Sequence, residues 1–131
     1  MDPRAGEHRF ELETRGRYVF VRCVGQMTSV AQAEEMQRAI ERAVGDLAKG
    51  RVVFDNRETG PPCDEARTAM WTWCRTASQL ERVALILENE MATVRANMTA
   101  VSEGVRVRAF ASLEDATVWL LRGTATHQAQ G

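Results

Sequence analysis

Hydrophobic and polar positions along this chain follow two periods, one typical of strands and one of helices. Five short segments rich in β-branched and aromatic residues predict strands, and two of them, residues 52–54 and 83–87, are apolar throughout. An unbroken apolar run of this length indicates a strand covered on both faces. The predicted strands are residues 9–14, 17–24, 51–55, 83–87 and 105–110. Gly16 sits at the turn between the first two, where it can adopt a positive φ.

Four other segments repeat their apolar residues every three or four positions, which predicts amphipathic helices. The first covers about residues 30–47, and its capping box pairs Ser29 with Gln32. The expected N-terminal caps are Ser29, Asp64, Asn89 and Ser112. The expected buried positions are Ala33, Met36, Ile40, Val44 and Leu47 in the first helix, Ala66, Met70, Trp73, Ala77 and Leu80 in the second, Met91, Val94, Met98 and Val101 in the third, and Leu113, Ala116, Trp119 and Leu120 in the last.

The resulting element order, β-β-α-β-α-β-α-β-α, predicts a single α/β domain. Alternating strands and helices indicate a five-stranded, mostly parallel sheet, to which the opening hairpin adds one antiparallel strand. The domain is expected to cover residues 9–122. Residues 1–8 are expected to form a flexible leader, and residues 123–131 a flexible tail.

The charge balance and the cysteine content indicate which class of partner is not expected and in which cellular compartment the protein works. The 131 residues include 17 basic and 18 acidic side chains, for a net charge of −1, which argues against a phosphate-binding surface for nucleic acid. The three cysteines form no Cys-x-x-Cys pair, so free thiols in a reducing compartment are expected. The polar start and short apolar runs predict neither a signal peptide nor a membrane span. We therefore expect a cytoplasmic protein.

The last strand and helix carry a recognisable sequence. Residues 105–116 read VRVRAFASLEDA, and a Trp-Leu pair follows at 119–120. This stretch resembles the end of the SpoIIAA-like (STAS/SEC14-like) branch of the STAS domains, the fold of bacterial anti-sigma-factor antagonists. The resemblance extends over about residues 9–122. It implies a STAS-like fold and a regulatory or binding module that acts on a protein partner or on a small apolar or lipid-like ligand.

One segment departs from the antagonists. Their loop after the third strand ends in Asp-Ser-Ser-Gly, and its serine is phosphorylated at a helix N-terminus. The matching residues 63–67 read Cys-Asp-Glu-Ala-Arg, so the resemblance carries the aspartate over to Asp64 but carries the serine over to no residue. No hydroxyl side chain lies between Thr59 and Thr68. A module without the standard phosphoserine switch is therefore expected.

The second helix and the loop before it, residues 56–63, form the candidate contact surface. Trp71 lies to one side of the apolar stripe, with an arginine one turn away in each direction. Exposed Trp and Arg are typical of binding hot spots. The alternative is that Trp71 packs against a neighbouring helix or against the loop. The candidate partner-binding residues are Asp64, Glu65, Arg67, Trp71 and Arg75.

Catalytic chemistry finds little support in the sequence. The two histidines, His8 and His127, fall in the expected leader and tail, and no cofactor or metal site is predicted. Cys63 is the best candidate nucleophile because it precedes a helix N-terminus. The alternative function is a cofactor-free enzyme or a small-molecule carrier with a pocket at the C-terminal ends of the parallel strands. A homodimer and a monomer both remain open.

We expect Cys63 to react with a thiol probe no faster than an ordinary exposed cysteine. Its neighbours Asp64 and Glu65 oppose formation of the thiolate, which is the reactive species. The rate would be measured on a Cys23→Ser/Cys74→Ser variant, in which Cys63 is the remaining thiol. A rate well above that of a model peptide would revive the enzyme interpretation.

Overall fold

The computed structural model describes residues 2–130, and the side chains of residues 2–122; it has a sheet of five strands in the spatial order β1-β2-β3-β4-β5. The strands are β1 (Arg9–Arg15), β2 (Tyr18–Gly25), β3 (Arg51–Thr59), β4 (Arg82–Ile86) and β5 (Val107–Phe110). The first pair is antiparallel and the others are parallel, which confirms the predicted mixed sheet. Gly16 has a φ of 64° in the β1–β2 turn.

Four α-helices cover the sheet, as predicted. They are α1 (Val30–Val44), α2 (Asp64–Thr76), α3 (Glu90–Glu103) and α4 (Leu113–Gln130), after a short 3-10 helix at Pro3–Ala5. Buried residues of α1, α2 and α3 belong to one apolar cluster, whereas those of α4 belong to a second. The three crossover helices therefore share one face of the sheet, and α4 covers the other.

The central strand β3 joins the two clusters. Val52 and Val53 are both fully buried, yet Val52 belongs to the cluster under α1 and α2, and Val53 to the cluster under α4. Successive side chains of a strand point to opposite faces, so each face of β3 needs its own helical cover.

Side-chain caps fix the starts of three helices. The amide of Gln32 donates to the Ser29 hydroxyl at 3.4 Å, and the amide of Ala92 donates to the Asn89 carboxamide at 2.9 Å. The Ser112 hydroxyl likewise accepts from the amide of Asp115 at 3.2 Å. The prediction that Asp64 caps α2 is wrong. Asp64 is the first helical residue, and Cys63 occupies the cap position without a side-chain hydrogen bond.

β3 is longer than the predicted residues 51–55. It continues to Thr59 because its outer end stays paired with β2, where Glu58 faces Val24 and Thr59 faces Gly25. The register shifts there, since between the Arg22 and Val24 pairs one residue of β2, Cys23, lies opposite two residues of β3, Asn56 and Arg57. Part of the expected loop, residues 56–59, is therefore a bulged strand end.

The prediction of the buried face of α3 is wrong. The four apolar side chains expected in the core are exposed: Met91 by 65%, Val94 by 56%, Met98 by 67% and Val101 by 83%. The inward face instead carries Ala100, which is buried, and Asn97, whose carboxamide bonds the backbone of Ala109 in β5. The helix lies close against this edge strand, so small and hydrogen-bonding residues face inward.

The N-terminal residues contact the carboxyl ends of the strands. The amide of Gln26 donates to the carbonyl of Gly6 at 2.9 Å, and Arg4 forms an ion pair with Glu88. The expected leader thus packs on the domain. The expected tail, residues 123–131, lies outside the side chains that the structure describes. In the described part of the chain, no helix has the length and apolar character needed to span a bilayer.

The orientation of α3 can be tested by two neighbouring truncations. Asn97→Ala should lower the free energy of unfolding by about 1–2 kcal/mol, because the backbone groups of Ala109 lose both partners. Met98→Ala should change it by less than about 0.5 kcal/mol, as expected for an exposed residue. Urea unfolding measures both values. A loss of about 2–5 kcal/mol for Met98→Ala would instead restore the predicted buried face.

Candidate functional site

A cavity of about 170 Å³ opens at the carboxyl ends of the central strands, on the face covered by α1 and α2. Its wall is largely apolar and rich in sulfur. Its sulfur atoms come from β2, the loop after it, α1 and α2, as Cys23, Met27, Met36, Met70 and Cys74, and Trp71 of α2 also lines the cavity. Methionine and free cysteine are polarisable and adapt to irregular shapes, so this lining suits an apolar guest.

The two thiols in the wall are protonated. Burial raises the pKa of Cys23 to about 12, helped by the nearby Asp55 carboxylate, and burial raises the pKa of Cys74 to about 12. The Cys23 sulfur lies 3.8 Å from the sulfur of Met36, as part of the packed wall. These cysteines therefore present neutral, poorly nucleophilic groups to the cavity.

The strand bulge places a residue with a carboxamide side chain in the largely apolar lining. Asn56 follows the buried Phe54 by two positions, and both residues line the cavity. The side-chain oxygen of Asn56 is buried, and it has no hydrogen-bond partner among the described residues. Its backbone carbonyl accepts from the hydroxyl of Thr59 at 2.9 Å, which closes the bulged segment.

An ion pair flanks Asn56 in the sequence. The Arg57 guanidinium donates to both carboxylate oxygens of Asp55, at 2.9 and 2.8 Å, and the Arg57 amide donates to the same carboxylate at 3.2 Å. These hydrogen bonds lower the pKa of Asp55 below its ordinary value, although partial burial opposes the shift. The Asp55 and Arg57 side chains therefore satisfy each other's hydrogen-bonding groups at the end of β3, on either side of Asn56 in the sequence.

The mouth of the cavity is more polar than its floor. Trp71 is half-buried there, and Arg67 donates to Asp64 at 3.0 Å and to the carbonyl of Pro62 at 3.3 Å. His8, from the N-terminal segment, completes the lining. Burial lowers the pKa of His8, with the Glu35 carboxylate opposing the shift, so its imidazole is mainly neutral near pH 7.

Comparison with known proteins identifies the architecture. No protein-family model matches the chain, and no curated protein does either. Among solved structures, it resembles an uncharacterised DUF3478-family protein with a SpoIIAA-like fold from Shewanella loihica PV-4. The TM-score is 0.65 at 19% identity, with 86% of this chain and 93% of that chain covered. The chain has the SpoIIAA-like fold.

The anti-sigma factor antagonist SpoIIAA has the same architecture. Its unphosphorylated form matches with a TM-score of 0.60 at 16% identity, over 88% of this chain and 99% of that chain. The phosphorylated form of the Bacillus cell-fate determinant SpoIIAA matches with a TM-score of 0.50 at 14% identity, over 83% and 96%. The predicted resemblance to the SpoIIAA-like branch is confirmed at the level of the fold.

In this SpoIIAA-like chain, the five predicted partner-binding residues separate into three groups. Arg67 and Trp71 come together at the cavity mouth. Asp64 and Glu65 are exposed at the start of α2, outside the cavity lining, and Asp64 reaches the mouth through its bond to Arg67. Arg75 pairs with Glu103 of α3 at 3.0 Å and so bridges the two helices.

The cavity lies at the edge of the sheet that the alternative function named, the C-terminal ends of the parallel strands, but the sequence did not identify most of its lining. Met36 was expected only as a buried residue of the first helix, His8 was placed in the leader, and Asn56 was included only as part of the loop in the candidate contact surface. Elsewhere among the described residues, no three His, Cys, Asp or Glu side chains cluster as metal ligands would.

The Asp55–Arg57 pair predicts a specific pH dependence of stability. Because the pKa of Asp55 is lowered on folding, its contribution is present above the ordinary aspartate pKa of about 3.9 and is lost as the pH falls through the lowered value. The gap in unfolding free energy between wild type and Asp55→Asn should therefore shrink on acidification below about pH 4.

Urea titrations at a series of pH values measure this gap. Asp64→Asn is the matched control, because the Asp64 side chain is 92% exposed and pairs with an arginine at the surface. A gap for Asp55→Asn that is the same at every pH would show that the carboxylate charge contributes nothing to the fold.

Proposed function

We propose that this chain is a non-enzymatic binding module whose ligand is a small, uncharged and largely apolar molecule held in the cavity. The observation that carries the proposal is the cavity itself, about 170 Å³ with a mostly apolar wall at the carboxyl edge of the sheet. An engineered apolar cavity of about 150 Å³ in another protein binds benzene, so the volume suits a single ring with a small substituent.

The state of most polar groups in the wall supports binding rather than catalysis, and the neutral imidazole of His8 is the exception. The wall thiols are kept protonated by burial, and the Asp55 carboxylate is engaged by Arg57. The Arg67 guanidinium at the mouth is already bonded to Asp64 and Pro62. A general base or nucleophile needs a free reactive form within reach of the substrate, and these groups are not offered in that form.

A second candidate function is the binding of a protein partner over the cavity mouth. The anti-sigma factor antagonist SpoIIAA has this fold. The observation that favours a similar role is the half-buried Trp71 beside Arg67, with Asp64 and Glu65 exposed next to them. Such a partner would be held without a phosphoserine switch, because no hydroxyl side chain lies between Thr59 and Thr68. The free thiols support work in the cytoplasm.

Toluene is a suitable probe of the proposed function. We expect it to raise the melting temperature of the wild-type chain in a concentration-dependent manner, because a ligand that binds the folded state stabilises it by mass action. Two-dimensional NMR spectra of the labelled protein should show shifts centred on residues around Trp71 and Cys74.

Cys74→Leu should abolish both effects by filling the cavity from its wall. Thr68→Leu is the matched control, since it adds the same side chain at an exposed position of the same helix and should leave toluene binding intact. Equal binding to both variants, or no binding to wild type at millimolar toluene, would contradict an apolar ligand site in the cavity.

A further inference from the structure

The outward face of α3 carries a stripe of large apolar side chains that the fold leaves in contact with solvent. Its members have between 56% and 83% of their surface exposed: Met91, Val94, Met98 and Val101. The inward face is already occupied, because Ala100 is buried and Asn97 bonds both backbone groups of Ala109. A contiguous apolar stripe on the surface of a domain marks a contact site.

The spacing along this stripe indicates what kind of partner fits it. Its members are separated by three, four and three positions, which is the a-d-a-d pattern of a coiled-coil seam over two heptads. Such a seam is narrower than the apolar face that a helix turns toward the core of a domain. The matching surface is therefore a second helix with the same spacing, and α3 of a second copy of this chain provides one.

Two residues of opposite charge flank the stripe, one on each side. Glu90 precedes Met91 and takes heptad position g, and Arg95 follows Val94 and takes position e. Both are exposed, and neither forms an ion pair with another described residue. When two such helices run parallel, position g of one helix lies beside the following position e of the other. Glu90 of each copy would then face Arg95 of the second copy.

The same charges disfavour an antiparallel pair. In that orientation Met91 would lie opposite Val101, and Val94 opposite Met98, so the two-fold axis would pass close to Arg95. The Arg95 side chains of both copies would meet on one side of the seam and repel each other. The charge pattern therefore favours the parallel pair.

A lipid surface fits the stripe less well than a second copy does. Helices that lie on membranes carry Lys and Arg along their polar face, which anionic lipids attract. On α3, by contrast, Glu90 borders the stripe and Glu103 lies at the end of the helix, and the whole chain has a net charge of −1. These acidic groups would face the lipid headgroups.

We propose that the outward face of α3 is the contact surface of a homodimer, in which the α3 helices of two copies pack in parallel and Glu90 of each pairs with Arg95 of the other. This inference goes beyond the proposed function, because the cavity is lined chiefly by the sheet, α1 and α2. Each α3 is already folded on its own domain, so pairing carries no cost of helix formation. Two heptads form a small contact, and we expect a dissociation constant of roughly tens of micromolar.

Sedimentation of the full chain over a range of concentrations, from low micromolar to submillimolar, tests the dimer. The average mass of the wild type should rise with concentration from that of one copy toward that of two. Val94→Glu places a charge from each copy in the centre of the seam and should weaken association by more than about a hundredfold. Val118→Glu is the matched control, because Val118 is exposed by 53%, close to the 56% of Val94, and belongs to α4 on the other face of the sheet.

Charge exchange tests the parallel register. Glu90→Arg and Arg95→Glu should each weaken association by about tenfold, because two attractive contacts of the dimer become repulsive. The double variant Glu90→Arg/Arg95→Glu restores opposite charges at both contacts, so it should regain the affinity of the wild type. All of these positions are exposed in one copy, so the circular dichroism spectrum of each variant should match that of the wild type.

Several results would overturn the inference without touching the proposed cavity ligand. A wild-type chain that stays monomeric at submillimolar concentration, or that is captured by phospholipid vesicles as a monomer, would reject the homodimer. A dimer that Val118→Glu disrupts as strongly as Val94→Glu would have its contact elsewhere. A dimer that Arg95→Glu leaves unchanged would not be the parallel pair. The wild-type measurement requires no variant, so it decides the question even if a variant does not fold.

Discussion

The central strand β3 carries Val52 and Val53 on opposite faces, and neither side chain keeps any exposure to solvent. Each fully buried side chain of this kind contributes about 1.5–3 kcal/mol relative to an exposed one, so leaving either face bare would remove a large part of the stability. The architecture satisfies this constraint by placing α1 and α2 over one face of the strand and α4 over the other. The parallel sheet and its crossovers follow from the same requirement.

The cavity lies where that cover is incomplete. α2 does not begin until Asp64, after the irregular Gly-Pro-Pro segment at residues 60–62, so the carboxyl ends of β2 and β3 extend beyond close helical packing. The adjoining wall is built from methionine, cysteine and one half-buried tryptophan. A lining of soft, adaptable side chains lets the fold keep space at this edge while the centre of the sheet remains tightly packed.

The end of β3 carries a short run of polar residues beside the cavity. The Asp55–Arg57 pair satisfies itself through several hydrogen bonds, whereas Asn56 between them leaves its side-chain oxygen without a partner among the described residues. The bulge allows neighbouring residues of one strand to differ in this way, because it breaks the regular ladder and re-aims a side chain. A short strand segment thus combines a self-satisfied ion pair with one buried polar atom that has no partner among the described residues.

The sequence by itself determined the element order, the mixed sheet and the buried face of α1, because these features depend on the local spacing of apolar residues. It also determined three of the four expected helix caps, because a cap depends on side chains three residues apart. It also contained the resemblance to the SpoIIAA-like branch. It placed Arg67 and Trp71 correctly on one helix, since helical spacing is local. It could not show that Asn56 and Cys23 meet in one cavity, because that meeting depends on the register between strands far apart in the chain.

The tertiary structure alone decided the orientation of α3. Its apolar residues Met91 and Met98 follow a helical period that predicts burial, yet Asn97 and Ala100 face the sheet. The edge strand β5 has backbone groups that need partners, and a close approach of the helix supplies them through Asn97. Periodicity reports which side chains share a face of a helix. Which face the domain covers is set by the neighbouring strand, and that information is absent from the local sequence.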